Sequence, residues 1–241
     1  MPGGAYVALS GLQARLEEFD RMAADIANAS TAGYKAERGG TMAVERDGFS
    51  RALQSAVDTA ASEPRIDFRP GSLAPTGRDL DLALEGPGFF TVSTPAGVRF
   101  TRNGHFARAA DGTLTTADGY PVEGEDGPIK LTGTGGVTVD ADGTVRAGAS
   151  VAGRLRVVDF DDYTALRRED AGRFAAAGAS PVAASPSASV RTGVLEESNA
   201  SVVGRMASLI SVSRGVETLQ RGISVLMNDI DGRAISELGR R

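Results

Sequence analysis

Between Ala5 and Ile26, apolar residues recur at alternating steps of four and three: Ala5, Leu9, Leu12, Leu16, Phe19, Ala23 and Ile26. Arg15, Glu17, Glu18, Asp20, Arg21 and Asp25 fill the positions between them. That spacing is an a/d seam, and it predicts an amphipathic helix of about 30–40 Å. A second stripe runs near the other end through Val202, Met206, Leu209, Val216, Ile223, Met227 and Ile230, keeping phase across Ser213 and Gln220. Ile210, Leu219 and Leu226 widen it, so this helix is expected to touch more than one neighbour. It also carries Gly204, Gly215 and Gly222. Each costs about 1 kcal/mol relative to Ala inside a helix, so the helix is expected to depend on partners. The two seams are expected to pair with each other and with other subunits.

The middle of the chain changes period. From about residue 77 to 174 come short β-type runs such as "LDLAL", "FFTVS", "VRFTR", "VTVD" and "RLRVVDF". They are punctuated by Asp111-Gly112, Asp118-Gly119, Asp126-Gly127 and Asp142-Gly143. Asp-Gly accepts the positive φ of tight turns, so these pairs predict antiparallel hairpins. "SEPRIDFRPGSLAPTGR" before this region is turn-rich, and "AAAGASPVAASPSAS" after it reads as linker. The expected fold is mixed α and β: long N- and C-terminal helices pairing as a coiled-coil-like hairpin, with an inserted all-β antiparallel domain. The expected boundaries are 1–37 plus 195–241 for a discontinuous helical domain, 38–76 for a connecting segment, 77–175 for the β domain and 176–194 for a linker.

The first helix runs into "ADIANASTAGYKAER", where Asn28, Thr31 and Gly33 read as the turn that ends it. Gly33 suits a left-handed C-terminal cap. Asn28-Ala-Ser30 and Asn199-Ala-Ser201 have the spacing of glycosylation sequons, but Asn and Ser are also what helix ends require, and the capping role is the expected one.

Composition narrows the chemistry. The 241 residues are 41% apolar, enough to bury a core, and 26 basic against 31 acidic residues leave a net charge of −5. No long single-sign run is present, which argues against general nucleic-acid affinity and against a polybasic membrane anchor. No stretch approaches the roughly 20 apolar residues that span a bilayer, so no direct membrane insertion is expected. "MPGGAYVALSGL" lacks the basic start and sustained apolar run of a cleaved signal peptide, so export, if it occurs, is expected by another route. Without Cys there are no disulfides, thiolate metal sites or Cys nucleophiles. The single histidine, His105, sits in strand-and-turn sequence with no nucleophile elbow, and a structural role is expected for it. Carboxylates are the remaining catalytic currency, with Asp79, Asp81 and Glu85 in "GRDLDLALEGPGFF" as candidates for glycan hydrolysis. Alternation puts Leu80, Leu82 and Leu84 on one strand face and Asp79, Asp81 and Ala83 on the other, which is expected to be wet. No enzyme activity, metal or cofactor is expected.

Three blocks of the chain carry a resemblance. "ALSGLQARLEEFDRMAADIANASTAGYKAER" resembles the N-terminal signature of bacterial flagellar rod and hook proteins, an apolar helix followed by Asn-Ile/Val-Ala-Asn, Ser/Asn-Thr and X-Gly-Phe/Tyr-Lys. "TGVLEESNASVVGRMASLISVSRGVETLQRGISVLMNDID" is similar to their C-terminal helix with its Leu-Glu-X-Ser-Asn opening. The middle block, from "GSLAPTGRDLDLALEGPGFF" through "TRNGHFARAADGTLTTADGYPV", is similar to the family's Thr-Arg-X-Gly-X-Phe and Asp-Gly-X-Leu-X-Thr-X-Asp-Gly-X-Pro-Val run. Length and a single β domain look most like a proximal-rod protein, with the distal-rod type as near neighbour. Departures are Arg78-Asp79, where Asn-Pro is common, and Gly204 and Gly215, where bulkier residues are frequent.

The resemblance implies a self-assembling structural subunit of the flagellar basal-body rod in the periplasm, exported by the flagellar type III apparatus with its N-terminal signal uncleaved. Its implied partners are like subunits and other rod proteins. The helix seams Leu9, Leu12, Leu16, Phe19, Ile26, Val202, Met206, Leu209, Val216, Ile223, Met227 and Ile230 are then the expected subunit interface.

Overall fold

Strand Phe89–Thr94 shows how the sequence builds the β region. Successive side chains point to opposite faces of a strand, and here both faces are covered. Phe90 and Val92 enter one apolar cluster with Leu82, Leu84, Phe106, Leu114, Val122, Ile129 and Val145. Phe89 enters a second, with Phe100, Val158, Phe160, Leu166 and Phe174. A nearly continuous apolar run is the signature of a strand with no solvent face, and "FFTV", in which Thr91 is buried with its neighbours, is such a run.

The computed structural model describes residues 2–39, 64–133, 135–170, 172–185 and 188–238. They divide into two units, 1–27 with 37–65 and 201–241, and 28–36 with 66–200. Of the expected connecting segment, residues 40–63 lie outside the described residues.

In the second unit a six-stranded antiparallel sheet runs in the order Leu166–Arg168, Arg173–Ala176, Gly97–Thr101, Phe89–Thr94, Val157–Asp159, Val182–Ala183. Val137–Val139, Thr144–Ala147 and Ser150–Arg154 form a three-stranded antiparallel sheet, with a register shift between Val145 and Arg146. Leu82–Glu85 pairs with Ser189–Thr192, and Leu73–Pro75 with Val194–Glu196, so strands from the start and end of the unit are neighbours. All four Asp-Gly pairs place their glycine at positive φ, from 84° to 118°. At Asp111 and Asp142 the turn is closed further. Each carboxylate accepts hydrogen bonds from the backbone nitrogen and hydroxyl of the threonine two residues on, at 2.8–3.0 Å.

The second cluster is aromatic. Phe68 lies 5.5 Å from Phe89, 5.1 Å from Phe174 and 5.0 Å from Tyr163, centroid to centroid, and the two phenylalanine contacts are edge-to-face. Such pairs add about 0.5–1.5 kcal/mol each beyond the area they bury. In the first cluster Phe90 meets Phe106 at 5.2 Å and 82°.

The first unit holds helix α1, Pro2–Ala27, and helix α2, Val202–Leu238. Neither is apolar enough to cross a membrane. The expected coiled-coil-like hairpin is overturned. The described chain is mostly antiparallel sheet, and the helices do not form an a/d seam. Leu16 is 49% exposed, Met206 50% and Val202 39%. Among the described helix side chains the buried ones, Met22, Asp25 and Val212, fall off the predicted seam. The reason is physical. A four-three spacing fits any one-sided helix, and a seam needs bulky knobs in every layer, whereas this one has Ala5 and Ala23 on α1 and Ser213 on α2.

The Asp-Gly-Thr turns make stability acid-sensitive. Backbone and then side-chain hydrogen bonds from Thr113 and Thr144 hold the Asp111 and Asp142 carboxyls below the usual carboxylate range. A folded-state pKa below the unfolded value, about 3.9, means that the stabilisation is complete above that pH and is lost as pH falls through the lowered values. The Asp111→Asn/Asp142→Asn variant is therefore expected to show a flatter fall in melting temperature between about pH 4 and pH 2, measured by thermal unfolding across that range.

Candidate functional site

The segment after α1 does not end the helix and leave. Thr31 donates its backbone N–H to Asn28 O at 3.1 Å and its hydroxyl to Asn28 Oδ1 at 3.2 Å, turning the chain. Gly33 is left-handed, with φ of +67°, but it lies six positions beyond Ala27 and is not the helix cap. Its N–H goes to the carbonyl of Glu196 at 2.7 Å, and a Cβ there would run into the backbone of Arg102 and Asn103. Gly33 is thus a close-approach glycine that lets the inbound segment lie against two others.

Two residues on, Lys35 is fully buried and ion-paired with the equally buried carboxylate of Glu196. The ammonium also donates to Arg69 O at 2.9 Å. The other Glu196 oxygen lies 3.4 Å from an Arg102 guanidinium nitrogen, and Gly71 N–H reaches Oε1 at 3.0 Å. Arg102 is itself 5% exposed, donating to Leu84 O and Gly86 O with its guanidinium 5.4 Å from the Phe89 ring centroid. One buried carboxylate thus faces two buried cations inside the protein. Burial pulls the Lys35 pKa below the usual lysine range, and the Glu196 charge opposes that shift.

Asn199 completes the arrangement. Its Oδ1 accepts from Ala36 N–H at 2.7 Å and its Nδ2 donates to Asp67 O at 2.7 Å and Arg69 O at 2.9 Å. Arg168 stacks on Tyr34, 4.5 Å from the ring centroid, and donates to Lys35 O. Every one of these contacts lies within the second unit.

A separate contact fixes the helices. Asp25 on α1 is 1% exposed and pairs with Arg205 on α2 at 2.8 Å. Arg205 also donates to Glu37 O at 2.8 Å, and Glu37 N–H donates to Asp25 Oδ1 at 3.3 Å.

Of the seam residues named from sequence, Leu12, Phe19, Ile26, Leu209 and Val216 are half-buried, and Leu16, Val202 and Met206 are exposed. The side chains of Leu9, Ile223, Met227 and Ile230 lie outside the described residues. Val203, 80% exposed, which the sequence spacing did not select, shares a face of α2 with Met206 and with Ile210, 54% exposed.

The carboxylate candidates do not assemble a catalytic pair. Asp81 and Ala83, expected on a wet face, are buried. Asp81 Oδ1 lies 2.8 Å from His105 Nδ1, and Arg78 lies 4.0 Å from its other oxygen. The far nitrogen of His105 faces Arg78 at 3.4 Å and not a hydroxyl, so no Ser-His-Asp relay is built on it. Glu85 is exposed and lies 3.9 Å from Arg191. Among the described residues no cluster of His, Asp and Glu is arranged to hold a metal ion.

Sequence reasoning quoted Lys35, Arg102, Glu196 and Asn199 inside its three motif blocks without seeing that they meet. The available signal was that each block carries charged or amide residues within a few positions of a glycine: "AGYK", "TRNG" and "GVLEESN".

Residues 83–147 match the family model described as flagellar hook protein FlgE/F/G D1 domain. The chain is 34% identical to the flagellar basal-body rod protein FlgF of Salmonella typhimurium, with 97% of both chains covered. It is 33% identical to FlgF of Rhizobium meliloti, covering 99% of each. The flagellar basal-body rod protein FlgG of Bacillus subtilis is 27% identical over 88% of this chain and 90% of its own.

Removing one member of a buried ion pair strands the other. Lys35→Met is expected to lower the unfolding free energy by about 3–5 kcal/mol. Adding Glu196→Gln is expected to cost less than the sum of the single changes, because the two act through one contact. Urea denaturation of the two single variants and the double variant measures both quantities.

Proposed function

The chain belongs to the FlgF family of flagellar basal-body rod proteins and is a structural subunit of the rod, and we propose that its terminal helices are what bind it to its neighbours. The carrying observation is the apolar face of α2. Val203, Met206 and Ile210 fall at steps of three and four, so they stand on one side of the helix, and all three are at least half exposed. Leu16 on α1 is exposed to a similar degree. Apolar stripes of this kind mark interaction surfaces, and a shaft repeats each contact along its length.

In this reading α1 and α2, within residues 1–37 and 195–241, form the assembly part, and the β unit bears load. The partners are like copies and other rod proteins. Similarity to FlgF proteins over nearly the whole chain supports the proximal position, and the motif blocks support export through the flagellar type III apparatus into the periplasm. The work done is mechanical. Torque passes from subunit to subunit without slip when many apolar contacts must be broken together, even though each is worth only about 1–3 kcal/mol.

The half-buried Leu12 and Leu209 test the helix faces together with local packing, and the exposed Met206 tests the subunit contact alone. Met206→Asp is expected to leave the melting temperature of the purified chain unchanged, because the side chain is already half in water. The same change, like Leu12→Asp or Leu209→Asp, is expected to abolish incorporation into isolated basal bodies and to stop swimming. Normal rods built from the Met206→Asp chain would refute the assignment of this face.

A further inference from the structure

The β unit is stabilised in two chemically different ways in two different places. Around Leu82, Phe90, Phe106, Leu114 and Val145 the protein is held by apolar packing, with 14 buried residues in one cluster. At the base, where the chain enters and leaves the unit, the buried apolar cluster is Tyr34, Ala36 and Ala200 alone. The base is held instead by polar contacts that converge on two residues. Glu196 takes Lys35, Arg102, Gly71 N–H and, through its carbonyl, Gly33 N–H. Asn199 takes Ala36 N–H, Asp67 O and Arg69 O, and gives its own N–H to Tyr34 O at 3.3 Å. Arg168 adds the stack on Tyr34.

We infer that this base is a latch: a cooperative unit that opens while the apolar core stays folded, letting go of both ends of the β unit together, and that Glu196 is the residue that closes it. The physics runs through the carboxylate. While Glu196 is seated, Lys35 and Arg102 are buried with a counter-charge. Once it leaves, both cations are better off in water, and the buried apolar cluster that remains at the base is the small one of Tyr34, Ala36 and Ala200. Opening is therefore all-or-none at the base. It does not propagate into the core, which the ion cluster meets through Arg102, bonded to Leu84 O and beside the Phe89 ring. Stability distributed in this way lets local units open below the global unfolding free energy. For a subunit that must be placed among others, both arms of the β unit are then freed or fixed in one step.

Hydrogen exchange on the full-length chain, read by mass spectrometry, tests the latch in the isolated protein, so its outcome is independent of whether the helices bind other rod subunits. The base reporters are the amides of Gly33, Ala36, Gly71, Glu197 and Asn199, each bonded within the base. The core reporters are Leu82, Leu114 and Val122. In the unaltered chain the base amides are expected to exchange at least tenfold faster than the core amides. Glu196→Gln is expected to accelerate the base by a further tenfold or more and to change the core by less than twofold. Asn199→Ala, which leaves the ion cluster intact, is expected to do the same. Phe90→Ala is expected to accelerate the core. Equal exchange of base and core in the unaltered chain, or equal acceleration of both by Asn199→Ala, would show a single cooperative body and overturn the latch. If Glu196→Gln yields no folded protein, the other two comparisons decide the question unaided.

Discussion

A carboxylate removed from water is tolerated only if its charge is answered on the spot, and the Glu196 carboxylate is answered by three segments at once. Lys35 arrives from the beginning of the chain, Arg102 from the loop after strand Gly97–Thr101, and Gly71 from the turn before strand Leu73–Pro75. Apolar packing is non-directional and would accept many arrangements of these segments. A single buried anion accepts one. The β strands supply the greater part of the free energy, while Glu196 dictates which ends of which segments come together.

That division of labour extends through the unit. Strand Phe89–Thr94 is a wall between two cores, with Phe90 and Val92 on one side and Phe89 on the other. Arg102 donates to the carbonyl of Leu84 in the first cluster and lies beside Phe89 in the second, so the ion cluster abuts both. The Asp25–Arg205 pair plays a comparable part in the helical unit, where contact between α1 and α2 is fixed by a buried charge and its bonds to Glu37. Both units therefore use few, short-range ionic contacts at the points where the backbone must be held in one geometry.

The parts of this arrangement that could be read from the sequence are those set by local rules. Asp-Gly demands positive φ, and all four pairs adopt it. "FFTV" has no polar face and takes none. The parts that could not be read depend on partners far away in the chain. Asp81 looked like the wet side of an alternating strand because nothing within reach in sequence said that His105 and a second layer would cover it. Lys35 and Glu196 are 161 residues apart, and singly each has the look of a solvated charge. The heptad reading failed for the opposite reason. It took a local spacing as proof of a long-range seam, whereas the buried residues among the described helix side chains are Met22, Asp25 and Val212, which the spacing did not select.

The hydrogen bond from Gly33 to Glu196 brings the inbound segment and the last strand of the β unit to the same place. Topologically residues 66–200, the long segment of the unit, are a loop whose two ends meet where Asn199 Nδ2 donates to Asp67 O, spliced into a chain whose residues 37–65 and 201–241 belong to the helical unit. A module with adjacent ends can be lengthened, shortened or exchanged without moving the points where it is attached. Relatives built on this plan are free to change the size of their β region while leaving the joint untouched, and a foreign domain with closely spaced termini could be grafted at the same splice.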